Sequence, residues 1–403
     1  MAIPPCRLAA VAVTEGNAMK HDNPLAALFA AAVALPGISQ AAAPVQNTQI
    51  EVSYSEYHEE SIAAGDVAFG SVDRYDIDVS DFSFVTPVGG NNQIQLAYST
   101  DRLSGASPWF VMQGPDGYVQ AMSGATIWDE RRDILASWSH FTDDQIMTVQ
   151  MGRSEENDYL SNNIGVSFEQ ELNNANTVLG IAYSKANDEV SASDRDIFPT
   201  RPEGEDKDVD TLSLSLSQVI NPKLIVRAGY SREEQRGFLS DPYKLASVSG
   251  MLLQDNRPGA RKANIFTLGT RQYLAPIESA LKVDYRFYGD NWGIDSNTLT
   301  LALHKTITAG FSIEPNVRWY SQSRANFYAN AFDDTTFYSS DPRLAEFNGS
   351  SYGFIVNKSV LSAVVSLSYE QYKSSSDVAD PLYKPLGLVD YSLFTLSVRV
   401  DVD

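Results

Sequence analysis

Beyond residue 48 the chain alternates hydrophobic and polar residues one by one, in segments of about ten. Ile50, Val52 and Tyr54 alternate with Glu51, Ser53 and Ser55. Leu212, Leu214 and Leu216 alternate with Ser213, Ser215 and Ser217, and Leu281, Val283, Tyr285 and Phe287 with Lys282, Asp284 and Arg286. Phe394, Leu396, Val398 and Val400 repeat the pattern near the end of the chain. Successive side chains of a β-strand point to opposite faces, so a period of two means one apolar and one polar face. One such segment fits a soluble sandwich equally well. The whole set predicts a transmembrane antiparallel β-barrel of about 16 strands, apolar towards lipid and polar inside. The segments start near residues 48, 73, 93, 130, 144, 160, 176, 209, 223, 263, 278, 294, 309, 352, 361 and 389. Near Ser80 and Asp81 the alternation changes phase, which predicts a bulge.

The connections sort by parity. After even-numbered segments they are short and turn-like, as at Pro87 to Asn92, Asn221-Pro222 and Ala275-Pro276. Most connections after odd segments are long, as at Lys185 to Asp208, Arg232 to Arg261 and Gln322 to Ser351. Short periplasmic turns and long exterior loops are expected of outer-membrane barrels. Aromatic residues follow the same parity. Tyr54, Tyr98, Tyr183, Tyr230, Tyr285 or Tyr288, Trp319 and Tyr369, with Tyr75, Trp128, Trp292 and Tyr391, map to the exterior rim. Phe84, Phe141, Phe168, Tyr273 and Phe311 map to the other rim. Two aromatic girdles at headgroup depth are expected of a spanning barrel.

No apolar run after the first 41 residues approaches the roughly 20 residues of a transmembrane helix. Leu25 to Leu35 is a shorter apolar run, preceded by Met19-Lys20 and followed by Ser39-Gln40-Ala41. That order predicts an N-terminal extension and cleaved signal peptide over 1–41, with a single outer-membrane barrel domain over 42–403. Cys6, the only cysteine of the 403 residues, precedes the apolar run, so the mature chain would hold no disulfide or thiolate site. The net charge is -21, and removing the leader leaves it unchanged. That sign disfavours nucleic acid as a partner.

Candidate chemistry is sparse, and no cofactor or metal pattern is present. The mature chain has His58, His140 and His304. Their positions predict the exterior rim for His58 and the periplasmic end for the other two, which does not assemble a nucleophile with a base. Acidic residues between Glu203 and Asp210 match no ordered calcium loop. The inward-facing set is more informative. Arg227, Arg271, Lys282, Asp284, Arg286, Glu314, Arg318 and Arg399, with Asp401, fall on polar rows, and charges facing lipid would be costly. We expect them to line the pore, either as a charged constriction that filters solutes or as ion pairs that prop the wall. Asp284 and Glu314 are placed to restrain Arg286 and Arg318.

Specific stretches carry a family resemblance. They are Gly237-Phe238-Leu239-Ser240-Asp241-Pro242-Tyr243-Lys244, Tyr285-Arg286-Phe287-Tyr288-Gly289-Asp290-Asn291-Trp292-Gly293-Ile294, Tyr320-Ser321-Gln322-Ser323, and Ser339-Ser340-Asp341-Pro342-Arg343-Leu344. Ser104-Gly105-Ala106 and Ser123-Gly124-Ala125 precede them. Together they resemble a bacterial domain-of-unknown-function family of outer-membrane barrels. The resemblance implies the barrel and the envelope location, and supplies no activity. Expected partners are outer-membrane lipid, the barrel assembly machinery during insertion, and small solutes. The chain ends Val400-Asp401-Val402-Asp403, without the terminal aromatic that the machinery usually reads. The function expected is a passive or partner-gated, porin-like solute channel. The alternatives are a scaffold barrel plugged by Leu103 to Ile127 or Arg232 to Arg261, and a barrel enzyme acting on lipid or peptide.

Overall fold

The computed structural model describes residues 43–124 and 127–402. The expected leader lies outside them. The strands are β1 (Thr48–Glu59), β2 (Val67–Phe69), β3 (Asp76–Val88), β4 (Asn92–Gly105), β5 (Pro108–Gly114), β6 (Gly117–Met122) and β7 (Ile127–Phe141). Then come β8 (Gln145–Glu155), β9 (Tyr159–Leu172), β10 (Thr177–Val190), β11 (Glu205–Asn221), β12 (Leu224–Gly237), β13 (Leu245–Val248) and β14 (Met251–Gln254). The last are β15 (Ala260–Leu274), β16 (Ser279–Asp290), β17 (Asp295–Thr308), β18 (Phe311–Gln322), β19 (Phe347–Val360), β20 (Ala363–Ser375) and β21 (Tyr391–Val402).

Sixteen of these close into one antiparallel barrel, in the order β1-β21-β20-β19-β18-β17-β16-β15-β12-β11-β10-β9-β8-β7-β4-β3. Each corresponds to one expected segment. The strands run further towards the long-loop end than the alternation indicated, so β11 begins at Glu205 and β19 at Phe347. In outer-membrane barrels the short turns are periplasmic and the long loops exterior, and the two ends are named accordingly. The short-turn connections have between two residues, 222–223, and four, 173–176. At the other end two connections are also brief, 156–158 and 291–294; the rest run from 14 residues, 191–204, to 24, 323–346. Three of the long connections carry strands of their own. β2, β5 and β6 form a small sheet, and β13 and β14 a hairpin.

Cross-strand register fixes the two faces. Leu214 pairs with Ile181 and Tyr230, and Tyr230 with Phe266, all on the lipid side. Tyr54, Tyr98, Tyr183, Tyr285 and Trp319 lie on the same outer face and are exposed, as an interfacial girdle requires. Tyr75, Tyr288, Trp292 and Tyr391 do not belong to it. They are buried in apolar clusters inside the exterior end. At the periplasmic end Phe84, Phe168 and Phe311 face outward, whereas Phe141 and Tyr273 fall on inward rows.

The bulge expected at Ser80 and Asp81 is absent. β3 pairs with β1 from Val85 to Asp76 and with β4 from Val88 to Asp76 without a slip. The phase change has another cause: Ile77 and Val79 face inward and pack with Tyr57, Tyr75, Leu103 and Tyr391. The inner wall itself turns apolar towards the exterior end.

The register gives a direct test. Leu214→Arg places a charge in lipid and should cost about 2 to 4 kcal/mol. Ser215→Arg, on the inner face, should be far milder. Urea titrations of both variants refolded into vesicles check this, and equal losses would contradict the facing.

Candidate functional site

Small residues occupy much of the inner wall. Ser53, Ala97, Ser137, Gly165, Gly180, Ser215, Gly229, Gly269, Thr300 and Gly353 all point inward by register. A ring of 16 strands is too wide for side chains of this size to fill, and it leaves an aqueous lumen unless something else occupies it. Asp284 bears this out locally: it faces inward midway along β16, yet its side chain is 46% exposed.

Register also turns Arg227, Arg271, Lys282, Asp284, Arg286, Glu314, Arg318, Arg399 and Asp401 inward. Asp284 binds Arg271 at 2.9 Å, and Glu314 binds Lys282 at 2.7 Å and His304 at 3.0 Å. Arg286 and Arg318 are engaged as well. The Arg286 guanidinium lies over the Tyr288 ring, 5.4 Å from its centroid, and Arg318 heads the row towards Ser351, Tyr372 and Tyr391. Arg399 stands apart on β21, opposite Glu51. Sequence reasoning missed the facing arc. Glu51, Asp81, Asp101, Asp133, Glu169 and Glu171 point inward from β1, β3, β4, β7 and β9. The lumen therefore has a basic side on β12–β18 and an acidic side across from it. The remaining histidines are far from this wall's His304: His58 bonds Asp76 at the exterior, and His140 stacks on Trp138.

The exterior mouth is covered. Lys244, after β12, donates from Nζ to the Pro108 carbonyl at 2.9 Å. Four strands separate the two loops along the shorter arc of the ring and eight along the longer, so this bond spans the opening. Other loops join in. Val248 bridges Phe332, Asn330 donates to the carbonyls of Pro381 and Lys384, and Arg74 donates to that of Gly387. Tyr243 donates to Asp158 at 2.5 Å.

The cap is held by buried ions from two Asp-Pro turns. Asp241 accepts from the Tyr243 and Lys244 backbone N–H groups, and Asp341 from that of Arg343. Turns of this kind aim a carboxylate, and the following proline pre-sets the backbone. Arg343 then pairs with both Asp341 and Asp241, and Arg257 with Asp255 and Asp341, through nitrogen–oxygen contacts of 2.7 Å. Three carboxylates thus face three cations, counting Lys244. Burial opposes ionisation of Asp341, but Arg343, Lys244 and Arg257 outweigh it and hold that carboxyl well below its usual range. Removing one partner of such a buried pair typically costs about 3 to 5 kcal/mol. Asp290 organises the adjoining corner: it accepts from Arg261, Tyr288 and the N–H groups of Trp292 and Ile294. Gly293 there has φ +93°, and a Cβ would lie 2.6 Å from Asn326. Gln322 completes the frame by donating to the carbonyls of Arg343 and Ala345.

The stretches that build this cap are those that carry the sequence resemblance. The family model described as "Protein of unknown function (DUF3570)" matches residues 25–387. The chain belongs to this family. No curated protein matches the sequence. Among solved structures, CdiB from Acinetobacter baumannii is similar at a TM-score of 0.50 and 7% identity, over 89% of this chain and 60% of that one. The siderophore receptor PirA from Pseudomonas aeruginosa gives 0.42 at 12% identity, over 87% of this chain and 62% of the receptor. A bacterial polysaccharide outer membrane secretin gives 0.47 at 8% identity, over 89% and 100%. The chain therefore spans about three fifths of the receptor's length. The likeness to CdiB shows an outer-membrane-type barrel fold.

One acidic corner of the cap of this DUF3570 chain has the size of a cation site. Carboxylate oxygens of Asp129, Glu156 and Asp158 lie within 4.8 Å of one another. Burial, with Asp158, Asp129 and Asp133 nearby, pushes Glu156 up to about 8 against the pull of Arg131. At neutral pH a proton on Glu156 relieves the crowding. Because the folded value lies above the ordinary 4.5, this corner is most stable in acid and weakens as pH rises towards 8. Hydrogen exchange of residues 156–158 and 241–244 should accelerate between about pH 4.5 and 8 and level off above that, after correction for intrinsic rates. Glu156→Gln should remove the dependence; a dependence that survives in the variant would contradict the assignment.

Proposed function

We propose that this protein is a gated outer-membrane channel for small polar solutes, closed at rest by its exterior loops. The supporting observation is the contrast between the two ends. The exterior end is bridged by interlocked loops. At the periplasmic end the longest connection is four residues, 173–176 or 275–278, too short to reach across a ring of this size. Between them the inner wall is lined by small residues, and water reaches Asp284. A passive pore would need no buried ion network over its mouth, so the gated form is favoured. The transverse field between the acidic and basic arcs would orient charged or dipolar solutes crossing the lumen. Export to the outer membrane behind a cleaved leader belongs to the same proposal.

The scaffold alternative rests on the same cap, because residues 106–124 and 238–259 belong to the segments that meet over the mouth. They lie across the opening, while the wall below keeps small side chains, which favours a lid over a filled lumen.

Planar-bilayer recordings separate the readings. The native protein should show rare, brief openings. The Arg257→Ala, Arg343→Ala double variant should be open most of the time, since its three carboxylates lose their two guanidinium partners and repel. No conductance from either protein would favour the scaffold. Equal open probability in both would show that the cap does not gate.

A further inference from the structure

A cavity of about 610 Å³ opens on the exterior face, between the ends of β11 and β12 and the β13–β14 hairpin. Its size suits a small organic ligand; such pockets commonly measure about 300 to 1,000 Å³. The walls include Glu205, Asp206, Phe238, Gln254, Asn256 and Tyr338. Gly237 begins this wall in a conformation, φ +110°, that brings its backbone against Asp206, where a Cβ would lie 2.1 Å from the carbonyl oxygen.

The hydrogen-bonding inventory of the cavity is lopsided. Its amide and guanidinium donors are engaged within the protein, and the Ser240 and Tyr338 hydroxyls are the donors left over. Gln254 donates to the Pro242 carbonyl at 2.6 Å, and Asn256 to that of Thr336 at 2.7 Å. The Arg257 guanidinium is held between Asp255 and Asp341. The acceptors remain. Among the described residues, the Glu205 and Asp206 carboxylates have no side-chain hydrogen bond or ion pair, and Glu189 lies beside Asp206 on β10. The side-chain carbonyl oxygens of Gln254 and Asn256 likewise accept nothing within the protein. The excess of acceptors and negative charge favours a ligand that brings donors and positive charge. A neutral sugar would leave the two carboxylates without a countercharge. A bare divalent cation needs oxygens converging at roughly 2.0 to 2.6 Å, not a cavity of this width. Phe238 and Tyr338 add aromatic surface, which favours a cationic nitrogen and the hydrocarbon attached to it.

We propose that this cavity binds an organic cation, an aliphatic amine with more than one ammonium group. Its N–H groups meet Glu205, Asp206 and the amide oxygens, and its hydrocarbon chain lies against the two rings. Binding at this cavity does not require the barrel to conduct, so it stands or falls apart from the channel reading. Asp255 and Arg257 form both part of the cavity wall and part of the ion network that holds the cap.

The test is calorimetry on the purified full chain in detergent, with spermidine as the probe. One saturable site is expected, weakening as salt rises. The Glu205→Gln, Asp206→Asn variant should lose at least about tenfold in affinity, close to 1.4 kcal/mol. Both residues are exposed, so the fold should tolerate the change. Tyr338→Leu should also weaken binding. Asp116→Asn, which removes an exterior carboxylate from a separate hairpin turn, should leave it unchanged. Absence of saturable binding would overturn the proposal. So would equal affinity in the Glu205, Asp206 variant, equal weakening by Asp116→Asn, or tighter binding of magnesium or maltotriose than of spermidine.

Discussion

Backbone N–H and C=O groups inside a bilayer have no water to bond, so a sheet that spans it must close on itself. Closure decides most features of this protein. Sixteen strands satisfy every inter-strand ladder and leave no edge. The outer face must then be apolar, which sets the period-two pattern, and charges on the strands must turn inward. The ring that results is wider than its small inner side chains can fill. Whatever controls passage must come from the loops.

The loops meet that demand with buried charge. An apolar plug could cover the mouth, and two apolar clusters do pack beneath it. Between the loops themselves, however, ion pairs join Arg343 to Asp241 and Arg257 to Asp341, beside the bonds that Lys244, Asn330 and Arg74 make to carbonyls. Ion pairs of this kind contribute little net stability after desolvation, but separating one partner is costly. They favour one arrangement of the loops over near alternatives without a large total stability, which suits a lid that has to move.

The fold was legible because the physics that dictates it is local. Leu212 to Ser217 states its two faces without reference to any other segment, and sixteen such statements fix the strand count. Errors arose where the inner wall stops being polar. Ile77 and Val79 look like a slipped register until Tyr57, Tyr75 and Tyr391 are found packed against them. Trp292 and Tyr391 look like girdle residues because the pattern gives their height but not their side. The charged wall was half legible. Arg227, Arg271 and Lys282 fall on polar rows and face inward, but that Asp284 meets Arg271 and Glu314 meets Lys282 depends on the stagger between strands, which no single segment states. Two of the loops that cover the mouth were legible as candidate plugs, but the ion network that joins the cap was not. Asp241-Pro242 and Asp341-Pro342 lie 100 residues apart, and nothing in either turn names the other. The available signal was the repetition of an Asp-Pro turn with a following cation in three loops, at Asp241, Asp341 and Asp380.

If the loops gate the barrel, solutes pass through the mouth only when the cap opens. Val248 and Phe332 bridge as neighbouring backbones from two different loops, close enough for a disulfide between Val248→Cys and Phe332→Cys. Bilayer recordings of this pair before and after reduction, with Cys6 replaced by serine, ask whether the lid must move. Oxidised channels should stay shut, and reductant should restore openings in the same molecules. Openings that continue unchanged with the disulfide formed would contradict a gating cap.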